Sequence, residues 1–157
     1  MKDAPVIVII QEEPTYNLND QRYHYLKSVL LLKRHDTHPL FPNEWCLPGG
    51  KREIGDSYFI VGNENDREVI TYSESNEEAV YRECHEELGA KIHVFKDTHI
   101  TMIDDHYQMK VYLAISKVKI TKEFPNREHV EYGWFDLNEL PEKTSSVTRD
   151  LLENYKF

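Results

Sequence analysis

The stretch Arg-Glu-Cys-His-Glu-Glu-Leu-Gly-Ala, RECHEELGA at residues 82–90, sets Glu83, Glu86 and Glu87 just before a glycine that suits the end of a helix. A helix C-terminus already carries about half a negative charge, so acids there are unfavourable. Like charges three and four residues apart also repel. A helix selected only for stability would carry Lys or Arg in that turn, and this placement asks for a functional reason. The surrounding segment, SESNEEAVYRECHEELGAKI (73–92), supplies the helix. Ser75 is an N-cap and Glu78, three residues on, completes a capping box. Val80, Cys84 and Leu88 recur at helical spacing with Ala79 beside them, and Gly89 stands at C′. The apolar residues define one face that anchors the helix on a core. Glu83, Glu86 and Glu87 share an adjacent face, expected to point away from the packed side as a rigid carboxylate cluster. Hard cations such as Mg²⁺ and Mn²⁺ prefer such oxygen ligands, and one held there could polarise a phosphoryl oxygen and acidify a bound water.

The chain of 157 residues fits one domain, 1–157, with enough length for a hydrophobic core. Its 19 Lys and Arg against 28 Asp and Glu give a net charge of −9, which argues against long nucleic acid as a partner, since that needs a basic surface. A small polyphosphate ligand remains compatible, because divalent cations bridge acids to phosphates. The two cysteines, Cys46 and Cys84, form neither a metal pair nor a disulfide framework. The opening MKDAPVIVIIQEEP has an apolar run too short for a signal peptide or membrane span, so the expectation is a cytoplasmic protein with no membrane partner.

Along the chain, PVIVII (5–10) and SVLLLKR (28–34) read as strands joined through a polar and aromatic loop or hairpin. The Pro- and Gly-rich segment 36–51 reads as an irregular loop. Two β-rich runs around GNEND within 57–72 predict a β-hairpin. Strands are expected near 92–103 and 107–120, with a turn at DDH (104–106). Residues 132–141 start extended and end in a short turn or helix, and 146–157 form a helix with Val147, Leu151 and Tyr155 on one face. Strands and helices mix without strict alternation, which gives an α+β single domain.

RECHEELGA resembles the second half of the Nudix box, R-E-U-x-E-E-x-G-U with U apolar. Arg82, Glu83, Cys84, Glu86, Glu87, Gly89 and Ala90 match it. The pattern has a glutamate separated from that arginine by seven residues, and Glu74 stands there, eight before Arg82; LPGGK (47–51) is similar to the family's glycine turn. The pattern places five residues between glycine and glutamate, whereas 23 (51–73) lie between Gly50 and Glu74. The surplus matches the predicted hairpin, read as an insertion at 57–72; loops tolerate insertions because closure cost grows slowly with length. Glu53 is a rival for the place of Glu74. Flanking strands LLLKR and EYGWFDLNEL extend the resemblance over roughly 28–141.

The resemblance implies an α/β/α sandwich with a mixed β-sheet between helices. It implies hydrolysis of a pyrophosphate bond in a small nucleotide, a nucleoside diphosphate linked to another moiety, with Mg²⁺ or Mn²⁺ as cofactor. Glu83, Glu86, Glu87 and the carbonyl of Gly49 would hold the cation. One of these carboxylates, or a later-loop glutamate among Glu123, Glu128 and Glu131, would orient or deprotonate the attacking water. Arg82 would pair with nearby acids, Glu74 among them, because crowded carboxylates need a fixed counter-charge. Arg34, Gly50 and Tyr107 would face the substrate. The substrate types left open are a nucleoside triphosphate, a dinucleoside polyphosphate, ADP-ribose or a nucleotide sugar, though the proline that marks ADP-ribose hydrolases is absent. A non-catalytic Nudix-fold nucleotide-binding or regulatory module is the alternative, as is a homodimer to a monomer. His35 and His38 form an H-x-x-H without a third ligand; Trp45, Trp134 and Cys84 read as packing residues and His85 as exposed.

Overall fold

The computed structural model describes residues 6–12, 14–24, 28–51, 54–89, 92–101, 108–116 and 128–154. Its centre is a mixed seven-stranded sheet. Strands β1 (Val6–Glu12), β4 (Ser28–Arg34), β9 (Ile92–Thr101), β10 (Gln108–Ser116) and β11 (His129–Asp136) run in the order β11-β4-β1-β10-β9. The β1–β10 pairing is parallel and the others are antiparallel. Two short strands, β5 (Trp45–Cys46) and β6 (Gly49–Gly50), add to β4 and β1, so the loop read as irregular is stitched to the sheet at two points. Beside the sheet, β2 (Thr15–Asn17) and β3 (Arg22–His24) form a small hairpin, the loop-or-hairpin segment of the sequence.

Strand alternation divides the apolar residues between two faces. Val6, Val8 and Ile10 of β1, Leu30 and Leu32 of β4, and Tyr112 and Ala114 of β10 pack with Ala79, Val80, Cys84 and Leu88 of helix α1 (Asn76–Leu88). Ile9, Val29, Leu31, Val111 and Leu113 pack on the opposite face with Leu151 and Leu152 of helix α2 (Ser146–Asn154). Both faces are covered, which makes the molecule the expected α/β/α sandwich and explains why β1 and β4 read as nearly unbroken apolar runs. On α2, Leu151 is buried and Val147 partly so, while Tyr155 lies outside the described residues.

The path that delivers the glycine turn is fixed on both sides. Trp45 donates its N–H to the Lys143 carbonyl at 2.7 Å, and Leu47 donates to the Thr148 hydroxyl at 3.1 Å. Val8 then donates to the Pro48 carbonyl at 2.8 Å, and β6 pairs with Val6 and Ile7. After the turn the chain enters the antiparallel hairpin β7 (Ile54–Asn63) and β8 (Asp66–Ser73), which ends directly at Glu74 and Ser75. Ser75 and Glu78 form the capping box, with the Glu78 N–H to Ser75 Oγ at 3.1 Å and the Ser75 N–H to Glu78 Oε1 at 3.3 Å. Gly89, φ +61°, ends the helix in the left-handed region.

Candidate active site on the capped helix

The three glutamates of α1 do not share one environment. Glu87 is three residues past Cys84 and one before Leu88, so it turns toward the core, and its side chain is only 2% exposed. Glu83 is 14% exposed and Glu86 48% exposed. The expectation of a cluster pointing away from the packed side is therefore corrected. The carboxylates form a ramp from the interior to the surface, because 100° steps place residues 87, 83 and 86 in that order around the helix.

The glycine turn meets this ramp. Gly49 donates its backbone N–H to Glu87 Oε1 at 3.0 Å. A Cβ on Gly50 would lie 2.3 Å from Glu83 Oε1, so the bare Cα makes room for that carboxylate. Arg82 ties the acids together. Its Nε and Nη2 donate to Glu74 Oε2 and Oε1 at 2.7 and 3.0 Å, a two-pronged pair with a buried acid. Its Nη1 donates to Glu83 Oε1 at 3.0 Å and Glu86 Oε2 at 3.1 Å, and Nη2 also to the Lys51 carbonyl at 2.9 Å. The hairpin thus separates Gly50 from Glu74 in sequence yet returns Glu74 to the guanidinium.

Burial dominates the electrostatics. It pushes the Glu87 carboxyl well above the ordinary carboxylate range, and the neighbouring Glu83 charge pushes it further; the Gly49 N–H offsets only part of this. Burial also raises Glu83, against the lowering effect of Arg82. The hydrogen bond to Glu74, with the charges of Glu83, Glu74 and Glu86, holds the Arg82 guanidinium firmly protonated. Cys84 is buried and its thiol is raised well above the usual range by burial, which leaves it a packing residue.

His129 was not among the residues singled out in the sequence. Its Nε2 lies 3.4 Å from Glu87 Oε2, and burial followed by the charges of Arg34 and His38 lowers its pKa to about 4. It is neutral near pH 7, so this contact is not an ion pair. The signal for it could not be local: His129 meets Glu87 only because β11 pairs with β4, setting His129 opposite Arg34. Arg34 itself is partly buried, bonded to the Leu40 carbonyl at 3.0 Å and to His38 Nδ1 at 3.1 Å, with its guanidinium 5.9 Å from the Phe41 ring centroid. Its Nε is buried without a partner among the described residues. His38 is thus a neighbour of Arg34, while His35 bonds locally to Thr37 and Asp36. Of the downstream acids, Glu128 contributes charge repulsion at Glu87, whereas Glu131 sits exposed opposite Lys33. Glu53, Tyr107, the 104–106 turn and Glu123 lie outside the described residues. Trp45 packs edge-on to Phe135 at 4.8 Å and Trp134 packs on the α1 side of the sheet, as expected of packing residues; His85 is exposed.

The donor chemistry fits a divalent cation. Two carboxylates, one of them buried, repel each other and receive too little positive charge from the protein. Among the described residues no three His, Cys, Asp or Glu side chains converge on one point, since Arg82 draws Glu83 and Glu86 to itself.

Known proteins share the family profile and the fold of this chain. The NUDIX domain family profile matches residues 15–155. A nucleoside triphosphatase, NudI, from Escherichia fergusonii is 30% identical over 76% of this chain and 86% of its own. A NUDIX hydrolase crystal structure from Nitrosomonas europaea covers 99% of this chain and 71% of its own, at 20% identity and a TM-score of 0.61. The MutT protein structure from Methanosarcina mazei covers 98% of this chain and 94% of its own, at 20% identity and a TM-score of 0.57.

Proposed function

This chain belongs to the Nudix family and is a pyrophosphohydrolase, and we propose that it cleaves the pyrophosphate bond of a nucleoside triphosphate-type substrate with a divalent cation. The observation that carries the proposal is Glu87: a fully buried carboxylate beside Glu83, with both pushed toward protonation by burial. A fold gains nothing from two such groups unless something positive completes them. Mg²⁺ or Mn²⁺, held by Glu83, Glu86, Glu87 and the Gly49 carbonyl, would neutralise charge on the phosphoryl oxygens and acidify the attacking water.

The chain's own residues do the positioning. Water adds to one phosphorus of the link, and the bridging oxygen leaves with the other phosphate. Glu74 orients Arg82, and Arg82 holds Glu83 and Glu86. Arg34, at the end of β4 opposite His129, is assigned by its position to binding the polyphosphate. Glu128, whose charge reaches Glu87, is the best-supported downstream carboxylate for taking the proton of the attacking water. The triphosphate class follows the activity named for the 30%-identical relative.

The test is phosphate release in a coupled phosphatase assay across nucleoside triphosphates, ADP-ribose, NADH, nucleotide sugars and dinucleoside polyphosphates, with Mg²⁺ or Mn²⁺ and with chelator. Turnover of triphosphates that chelator abolishes is expected. Preference for another class would overturn the substrate assignment, and turnover unchanged by chelator would overturn the cation.

The hairpin β7–β8 is proposed to be an insertion that shapes either the substrate pocket or a contact between two copies. Its closing end delivers the chain straight to Glu74 and the cap of α1. Deleting 57–72 should alter the ratio of kcat/KM between substrates or the mass in light scattering. A folded deletion variant unchanged in both would end that reading.

No helix of the described residues is long and apolar enough to cross a membrane.

A further inference from the structure

Three observations meet at His129. The register of β11 on β4 shifts between His129 and Glu131, and Val130 stands 50% exposed in the bulge. Farther along β11, Tyr132 and Trp134 pack on the α1 face of the sheet. Strict alternation would send His129 to the opposite face; the extra residue turns it back to the α1 face. There its side chain is 4% exposed, with Nε2 3.4 Å from Glu87 Oε2, while the other oxygen of Glu87 accepts from Gly49. Finally, Nδ1 is buried with no hydrogen-bond partner among the described residues.

A neutral imidazole has one N–H and one lone pair. With the proton on Nδ1, a buried donor would go unused and, with Glu87 ionised as a cation ligand, two acceptors, Nε2 and the carboxylate oxygen, would face each other. With the proton on Nε2, the donor faces Glu87 and only a lone pair is left unfilled, which costs less.

We propose that His129 is a positioning residue for Glu87: its Nε2–H and the Gly49 N–H grip the two carboxylate oxygens from different sides and fix the plane in which Glu87 meets the cation. This rests on the reading of Glu87 as a cation ligand. Partners behind a ligand that set its orientation are worth about 10- to 100-fold in metal affinity. The bulge at Val130 is the backbone device that makes the grip possible.

The experiment is Mn²⁺ binding to the substrate-free protein, read from the electron paramagnetic resonance of free Mn²⁺. It compares wild type with His129→Phe, His129→Asn, His129→Gln and Glu87→Gln. A glutamine amide nitrogen reaches roughly the place of Nε2, whereas an asparagine nitrogen reaches only that of Nδ1. Phe and Asn should weaken binding about tenfold or more, and Gln by no more than about threefold. A purely space-filling role would lower melting temperatures without separating Gln from Asn in affinity. Wild-type affinity in His129→Phe, or equal affinities for Gln and Asn, would overturn the proposal; if the Phe variant does not fold, the Gln and Asn pair decides. Unchanged affinity in Glu87→Gln would instead sink the ligand assignment beneath it.

Discussion

Replacing Glu87 with Gln is expected to lower kcat by about 10³-fold or more, and in the cation-free protein to raise the melting temperature. The activity loss follows from removing a charged cation ligand, since the stabilisation supplied through it is several kcal/mol and about 4 kcal/mol corresponds to 10³ in rate. The gain in stability has a separate cause. Glu87 is fully buried beside Glu83, and its charge is disfavoured first by burial and then by that neighbour. Gln keeps the shape and an acceptor for the Gly49 N–H but carries no charge; removing a poorly compensated buried charge typically gains on the order of 1–2 kcal/mol. The pH dependence carries a definite sign. The folded-state pKa of Glu87 is raised above its ordinary value of 4.5, so the folded protein binds the proton more tightly than the unfolded chain does. The contribution of Glu87 to wild-type stability is therefore greatest at or below about pH 4.5 and is lost as pH rises through the raised folded value. Thermal melts of both proteins in chelator from pH 4.5 to 8.5 should begin close together and separate in favour of the variant. Added Mg²⁺ should then raise the wild-type melting temperature, by about 2.7 kcal/mol of stability at a hundred times Kd, and leave the variant nearly unmoved. A wild type more stable than the variant at pH 8.5 in chelator would show that Glu87 is not the strained group.

The contrast between Glu87 and its neighbours explains what the sequence could and could not disclose. The helix itself was legible, because Val80, Cys84 and Leu88 keep a 3.6-residue period and Ser75, Glu78 and Gly89 are local signals that depend on a few adjacent residues. The pairing of Arg82 with Glu74 was anticipated from the resemblance, and the capped helix brings the two together. The depth of Glu87 follows from helix geometry against the usual bias of charge toward the surface: a residue three after Cys84 and one before Leu88 belongs to the buried side. His129 lay beyond any local reading. It depends on a cross-strand register and on one bulged residue, and a single-residue shift in register would reverse the face that it occupies. The same holds for Arg34, whose surroundings come from the 38–41 turn and from the strand opposite.

The two glycines of the turn should fail in different ways. Gly49 has φ +154°, and a Cβ there would lie 2.2 Å from the Val6 carbonyl oxygen and 3.0 Å from the Ile7 Cα. Both are backbone atoms of β1, a central strand with Val6 fully buried, so neither can move aside cheaply. Gly49→Ala should therefore cost on the order of 3 kcal/mol and, for a chain of this size, lower the melting temperature by roughly 6–12 °C. Gly50→Ala meets a side chain first: the three atoms nearest the added methyl would be Oε1 at 2.3 Å, Cδ at 2.5 Å and Oε2 at 2.8 Å, all of Glu83. Glu83 can rotate away, and its partner Arg82 remains anchored by Glu74 and the Lys51 carbonyl, so the fold should lose little. The displaced carboxylate would no longer stand beside Glu87, and the cation would lose one charged ligand. We expect kcat to fall about 10²- to 10³-fold and Mn²⁺ binding to weaken at least tenfold, with the melting temperature within roughly 3 °C of wild type. Melting curves and Mn²⁺ titrations on the two variants separate the roles. Full activity in Gly50→Ala would mean that Glu83 need not occupy its place against the turn, and would remove Glu83 from the reacting centre. The argument turns on which atom meets the added methyl, a strand carbonyl in one case and a rotatable carboxylate in the other. Two adjacent glycines of one motif are thus held to different purposes, the first to lay the turn on the sheet and the second to leave space for the acid.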